Sequence, residues 1–361
     1  VVLLFLAGYF LYQSANKEND NNLGMFSKNP VPETGRARDE QVLKSLTLEQ
    51  KIGQLLLVGF TGKEFNPQLE NFIKTINPGG VLLLSRNLEN ENQLKRLIQE
   101  LREISLKNTG FPLFVSVDQE GGPLARIEWL SEKTAQSEIQ NTDQAFKVGF
   151  NRGKELKDLG VNLNLAPVLD IVSPDDFLYS RTFQKTPEES GELAKSLISG
   201  QREAGVLTVL KHFPGYGGIY FNPERKKLPI LENIPAIGQF KIAVQSNPEM
   251  IMAANVVYRD IDENLPFGLS VEGINFLRGQ LGGNFLIISD DLSSPVLKKE
   301  FSLKKTVILA VQSGVDVLIV AGFDNPEDPL LAFNFLLEAA RSGEISEDKI
   351  DQTVLKIIKL K

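Results

Sequence analysis

Cysteine is absent from this chain of 361 residues, and histidine and tryptophan occur once each. The first absence excludes disulfides, thiolate metal sites and thiol nucleophiles, and a single histidine removes the usual ligand set of a zinc site. Positive charge is also scarce: 39 Lys and Arg against 46 Asp and Glu leave a formal net charge of −7, with no basic stripe interleaved with aromatics. A nucleic-acid partner is therefore not expected. The partner should be small or neutral. With 42% hydrophobic and 24% charged residues, the chain has the proportions of a globular protein with a sizeable core, and its length suits one large barrel-type domain.

The N-terminus departs from those proportions. Val1–Tyr12 reads VVLLFLAGYFLY without a charge, and the polar stretch that follows begins at Gln13. The run is shorter than the roughly 20 residues that cross a bilayer. Because the chain opens on Val, an upstream portion is expected to complete it. Residues around Gln13 and Ala15 fit a signal-peptidase site poorly. The expectation is an uncleaved anchor over residues 1–15 that places the rest outside the membrane. A cleaved signal peptide and a buried terminal helix are the alternatives. Residues 16–38, rich in Asn, Lys, Glu, Pro and Gly, read as a flexible linker.

From Asp39 on, short apolar runs alternate with helix-spaced segments. The runs are Leu55–Val58, Gly80–Leu84, Leu113–Val117, Val161–Ala166, Thr208–Leu210, Met250–Ala254, Phe285–Ile288 and Val315–Val320. Most are continuous rather than alternating, as strands covered on both faces should be. Between them, Asn90–Lys107, Asp143–Leu159, Pro187–Ala204 and Leu303–Ser313 have helical spacing, several stopping at a glycine (Gly160, Gly205, Gly314). A final amphipathic stretch, Ser346–Leu360, would complete an outer ring. Eight such units favour a single α/β domain over residues 39–361, a closed (β/α)8 TIM-type barrel, over a doubly wound open sheet.

In such a barrel the site forms where strands end. Polar residues follow the third run (Asp118, Gln119, Glu120), the fourth (Asp170), the fifth (Lys211, His212), the sixth (Asn255) and the seventh (Ser289, Asp290, Asp291). Singly, Asp170 or Asp290 could be a helix cap. Together they point to one site at one face. Lys211 and the lone His212 are expected to emerge just past a buried strand, before Phe213-Pro214-Gly215 turns the chain.

VDQEGG (Val117–Gly122), NLAPVLD (Asn164–Asp170), SRTF (Ser180–Phe183), KHFPGYG (Lys211–Gly217) and SDDLS (Ser289–Ser293) resemble, in order, the signature blocks of bacterial β-N-acetylhexosaminidases of glycoside hydrolase family 3. The resemblance implies a TIM-type barrel without metal or organic cofactor. It also implies retaining hydrolysis at a terminal β-linked N-acetylglucosamine. By matching position Asp290 would be the nucleophile, and Asp118, Arg126, Arg181, Lys211 and His212 would hold the sugar. Elementary chemistry agrees, since a carboxylate at a rigid strand end can form a covalent glycosyl-enzyme. Lys211 and Arg181 nearby would keep it ionised. Asp291 is the competing candidate, but neighbours on a strand face opposite ways, so only one of the two can meet the sugar.

The departures from the family pattern cluster on one role. A second family histidine is Tyr216, another is Asn255, an arginine that often follows EGG is Pro123, and the loop Gly218–Lys227 lacks the Asp-Ser-His whose histidine protonates the leaving oxygen. Glu224 in that loop is the candidate acid/base, although Arg225, Lys226 and Lys227 are expected to lower its pKa. Without it, acid assistance would fall to water or to the substrate, leaving a slow enzyme. Tyr216, Tyr220 and Trp129 read first as packed aromatics and second as sugar platforms.

The expectation is thus a monomeric barrel enzyme, tethered outside the membrane, acting on N-acetylglucosamine-containing glycans such as cell-wall fragments. The alternative is a relative that binds saccharide without turnover. A barrel for phosphorylated substrates lacks support, because the last two strand ends carry carboxylates where a phosphate would want glycines.

Overall fold

Runs of Val, Ile and Leu with no polar face must be covered on both sides, and the chain meets that demand by alternating each run with an amphipathic helix. The computed structural model describes residues 33–361, with side chains from Asp39 on. Its strands are β1 (Leu56–Gly59), β2 (Gly80–Leu83), β3 (Phe114–Val117), β4 (Leu163–Asn164), β5 (Leu207–Phe213), β6 (Met250–Ala253), β7 (Leu286–Ser289) and β8 (Leu318–Val320). After them in turn come α1 (Pro67–Ile76), α2 (Glu91–Thr109), α3 (Thr142–Leu159), α4 (Pro187–Glu203), α5 (Gly238–Ala243), α6 (Val271–Leu281), α7 (Leu303–Ser313) and α8 (Asp328–Ser342).

The strands pair in parallel in the order β7-β6-β5-β4-β3-β2-β1-β8. The ring closes where Ile288 of β7 bridges Val317, just before β8. There the Ser289 N–H donates to the Val317 carbonyl at 2.9 Å, and the Leu292 N–H to Ile319 at 2.9 Å. The fold is a (β/α)8 barrel of TIM type, with each expected apolar run contributing a strand. Helices end where the glycines predict: Gly160 and Gly314 cap α3 and α7 with φ of 93° and 107°. A helix over Leu48–Gln54 precedes β1, and another over Glu347–Leu360, capped by Ser346, follows α8.

Two strands differ from expectation in extent. Only Leu163–Asn164 of the fourth run is strand, whereas β5 continues through Lys211 and His212 to Phe213. Those two polar residues therefore lie within a strand rather than beyond it. They remain there because Asp118 and Glu120, from the loop after β3, meet the Lys211 side chain, and Asp170, from the segment after β4, meets that of His212. Opposite them the pairing of β5 with β6 shifts register between Leu210 and Phe213.

Residues 1–32, with the apolar run and most of the expected linker, lie outside the described residues; positions 33–38 belong to a helix, Glu33–Ser45. Among the described residues no helix is long and apolar enough to cross a membrane. Asp39–Lys361 form one compact unit.

Helices α3 and α4 flank the strand ends that matter most for the site, and glycines let them approach. A Cβ on Gly149 would lie 2.1 Å from the Leu197 carbonyl oxygen, and one on Gly200 would lie 2.2 Å from that of Phe146. Gly149→Ala pits a helix-propensity gain of about 1 kcal/mol against a backbone clash costing about 1–3 kcal/mol, so the clash prevails. The urea midpoint of Gly149→Ala should fall, whereas Gly279→Ala in α6, where a new Cβ meets nothing within 4 Å, should hold or rise. Equal effects of the two substitutions would remove this account of the packing.

Candidate active site

The loop after β3 carries the first acidic residues, and it is fixed from below. Asn164 of β4 accepts from the Gln119 N–H at 3.0 Å and donates back to the Gln119 carbonyl at 3.0 Å, while its amide also donates to Gln201 of α4 at 2.8 Å. Arg152 of α3, fully buried, donates to the carbonyls of Glu120 and Thr134 at 2.6 and 2.7 Å. Gly121 turns the chain at φ 89°, and a Cβ there would lie 2.1 Å from the Thr134 oxygen, so this turn needs glycine.

This scaffold sets Glu120 under the site, where it is 1% exposed. Arg181, from the segment after β4, grips it with two donors at 2.8 and 2.7 Å, and the Lys211 ammonium lies 2.6 Å from Oε1. Burial alone would raise the Glu120 carboxyl, but Arg181 and Lys211 outweigh it and hold it down at about 2. Lys211 also donates to Asp118 at 2.7 Å. Burial opposes its charge, yet Asp118 and Glu120 keep its pKa above the usual lysine value. Arg126 completes the group, 3.8 Å from Asp118.

A second carboxylate organises the other side. Asp170 Oδ2 accepts from the His212 N–H at 3.0 Å and contacts His212 Nδ1 at 2.8 Å, and Oδ1 accepts from the Tyr216 N–H at 2.6 Å. Asp170 is therefore no helix cap; it fixes the imidazole and starts the turn after β5. The Tyr216 ring stands edge-on to His212 with centroids 5.0 Å apart, and its hydroxyl donates to Asp290 Oδ2 at 2.7 Å. The other Asp290 oxygen accepts from the Asp291 N–H at 2.8 Å.

Asp290 and Asp291 both line the pocket of the site, so they do not face opposite ways as expected of strand neighbours; they lie just past β7 and differ in their partners. Asp291 Oδ1 takes donors from Ser293 N–H, Ser293 Oγ and the Ala321 N–H at 3.0, 2.7 and 3.0 Å, tying the end of β7 to the end of β8. Its Oδ2 is buried without a partner, and burial lifts the carboxyl to about 6 against those hydrogen bonds. Lys211 and Arg181, expected to attend Asp290, are instead engaged by Asp118 and Glu120. The donors on Asp290 itself are a phenol and a backbone amide.

Asp118, Arg126, Arg181, Lys211, His212, Glu224 and Asp290 all line one pocket of about 400 Å³ at the strand ends, together with Asp291, Phe177 and Phe323. Glu224 reverses its expected electrostatics. Crowding by protein atoms raises its carboxyl, and the like charges of Asp290, Asp291 and Asp118 add to this, reaching about 7 against the pull of Arg181. Its outer side is still open to solvent, so the like charges inside the pocket are the firmer of the two causes. Arg181 is the cation that acts on it; of the three that follow in sequence, Lys226 and Lys227 sit over the Phe221 ring, 5.9 and 4.8 Å from its centroid.

Of the aromatics, Tyr216 is packed as expected and bonded as well, whereas Tyr220 is 68% exposed and Trp129, expected to be buried, is 37% exposed; neither lines the pocket. Sequence reasoning placed Glu120 at the third strand end without giving it a role, and it missed Arg152 and the bond from Tyr216 to Asp290. The place of Glu120 inside the VDQEGG block could have suggested that role. Arg152 carried no signal, because nothing in a helix sequence says which strand-end loop its side chain will reach.

Comparison with known proteins agrees with this architecture. The family described as glycosyl hydrolase family 3 N terminal domain matches residues 47–360. A beta-hexosaminidase of Idiomarina loihiensis is 30% identical over 73% of this chain and 83% of its own, and Beta-hexosaminidase LpqI of Mycobacterium tuberculosis is 27% identical over 92% and 87%. Among solved structures, a family 3 beta-N-acetylglucosaminidase from Paenibacillus sp. superposes with a TM-score of 0.81 at 31% identity, over 88% of this chain and 62% of that one. The beta-N-acetylhexosaminidase of Beutenbergia cavernae gives 0.80 at 26%, over 88% and 98%. The chain thus spans less than two thirds of the Paenibacillus protein but nearly all of the Beutenbergia one. With a barrel of this topology, a carboxylate-lined pocket at its strand ends and a family match across the whole barrel, the chain belongs to glycosyl hydrolase family 3.

Proposed function

We propose that this chain hydrolyses terminal β-linked N-acetylhexosamine residues with retention of configuration, through a covalent sugar ester on Asp290. The observation that carries the proposal is the shared pocket: a carboxylate at a rigid strand end faces a second carboxyl, Glu224, that holds its proton to about pH 7. Asp290, ionised, attacks the anomeric carbon; Glu224, protonated, gives its proton to the leaving oxygen and then takes one from the incoming water. Asp118, Arg126, Arg181, Lys211 and His212 supply donors and acceptors for the sugar's hydroxyl and amide groups. The names of the relatives support N-acetylglucosamine as the sugar. The apolar run Val1–Tyr12 supports a tether outside the membrane, with cell-wall glycans as the substrate class.

A second reading, a saccharide-binding protein without turnover, draws on one observation. Both Asp290 oxygens already accept hydrogen bonds, which restrains the nucleophile.

The two readings separate on 4-nitrophenyl β-N-acetylglucosaminide, whose leaving group needs little protonation. The full chain should turn it over and Asp290→Asn should not; sugar binding with no turnover by the folded wild type would leave only the second reading. For a disaccharide with a sugar leaving group, Glu224→Gln should lower kcat/KM by about 10²–10⁴-fold, with a much smaller loss on the aryl substrate. A proton donor acts below its pKa, so wild-type kcat/KM for the disaccharide should decline as pH rises through about 7. That decline should be missing in Glu224→Gln, and its persistence there would assign the acid elsewhere.

A further inference from the structure

We propose that Tyr216 is a positioning residue that acts through Asp290 and sets the balance between forming and breaking the covalent sugar ester. The inference rests on the double-displacement reading above. Its basis is the direction of one proton. The Tyr216 oxygen accepts from the backbone N–H of Asn255 at 2.9 Å, and that amide can only donate. The single phenolic proton is thereby turned toward Asp290 Oδ2, 2.7 Å away. The ring cannot swing aside: it is 3% exposed, it stands edge-on to His212, and its own N–H is held by Asp170. Burial and the neighbouring Asp290 charge both resist ionisation of the phenol, so it stays a donor across the working range.

In the first step an Asp290 oxygen bonds to the anomeric carbon as the bond to the leaving oxygen breaks. That oxygen departs with the electron pair and takes the Glu224 proton; when it leaves as nitrophenolate, Glu224 gives that proton to solvent before the second step. In the second step water adds to the anomeric carbon and gives a proton to Glu224, and the ester bond breaks with its electron pair returning to Asp290. The carboxylate is charged before the first step and after the second; the ester between them is neutral. A donor bonds more strongly to a carboxylate than to an ester. Tyr216 therefore stabilises free Asp290 relative to the adduct, whichever oxygen attacks. It restrains the first step and assists the second.

The test is Tyr216→Phe, which keeps the ring and removes only the hydroxyl, assayed in the full chain with 4-nitrophenyl β-N-acetylglucosaminide. With this substrate ester formation is fast and kcat reports ester breakdown. We expect kcat to fall on the order of tenfold to a hundredfold, the worth of a hydrogen bond to a charged group. KM should fall with it, leaving kcat/KM unchanged or raised. Acid-quenched protein mass should show one N-acetylhexosamine on both proteins during turnover, and once substrate is removed the adduct on the variant should decay on the order of tenfold to a hundredfold more slowly than that on the wild type. Equal losses in kcat and kcat/KM without adduct would make Tyr216 a mere support for the side chain and overturn the inference, as would unchanged kinetics or an adduct that decays as fast on the variant as on the wild type. A wild type that does not turn over fails the reading itself, and this inference with it.

Discussion

A carboxylate buried beneath a binding pocket must be neutralised, and that requirement at Glu120 shapes the site around it. Removing one member of a buried ion group costs about 3–5 kcal/mol, because the rest are left charged and dry. Glu120 accordingly needs both Arg181 and Lys211, and these come from different places, the segment after β4 and the strand β5. Their pairing joins three consecutive strand ends into one wall. Asp118 shares Lys211, so the polar surface offered to a sugar is the upper edge of a network whose lower half never meets solvent. The cations are thereby oriented before any ligand arrives, which lessens the ordering that binding requires.

Asp170 does for the opposite wall what Glu120 does for this one. It satisfies the His212 side chain and amide and the Tyr216 amide, and through Tyr216 it reaches Asp290. Asp290 is thus locked by donors without being paired to a cation. Full pairing with Lys211 or Arg181 would stabilise its charge more strongly and, in the proposed reaction, make it a poorer nucleophile. Asp291, just past β7, also lines the pocket, but its Oδ1 is taken up by Ser293 and the β8 end.

The departure from the family pattern at Tyr216 and the loop Gly218–Lys227 acquires a physical sense here. Glu224 in that loop lines the pocket with Asp290 and Asp291, and in the proposed mechanism it takes the part of the family's histidine–aspartate pair. The like charges do for its carboxyl what an apolar pocket does elsewhere. Cations adjacent in sequence had suggested the reverse. Two of them, Lys226 and Lys227, engage the Phe221 ring, and the cation that acts on Glu224 is Arg181 instead.

What the sequence determined by itself was whatever short-range pattern controls. Continuous Val, Ile and Leu runs require cover on both faces, glycine ends helices, and eight repeats close a barrel, so the strands were legible before any coordinate, and the resemblance to the family's pattern pointed to the seven residues that line the pocket. The tertiary structure alone decided the pairings: Arg152 under Glu120, Asp170 on His212, Tyr216 on Asp290, and the upward shift of Glu224. Each joins residues tens of positions apart, at distances of 2.6–2.8 Å for the first three contacts. Electrostatic energy depends on separations of a few ångströms and on burial, and neither is a property of position along a chain.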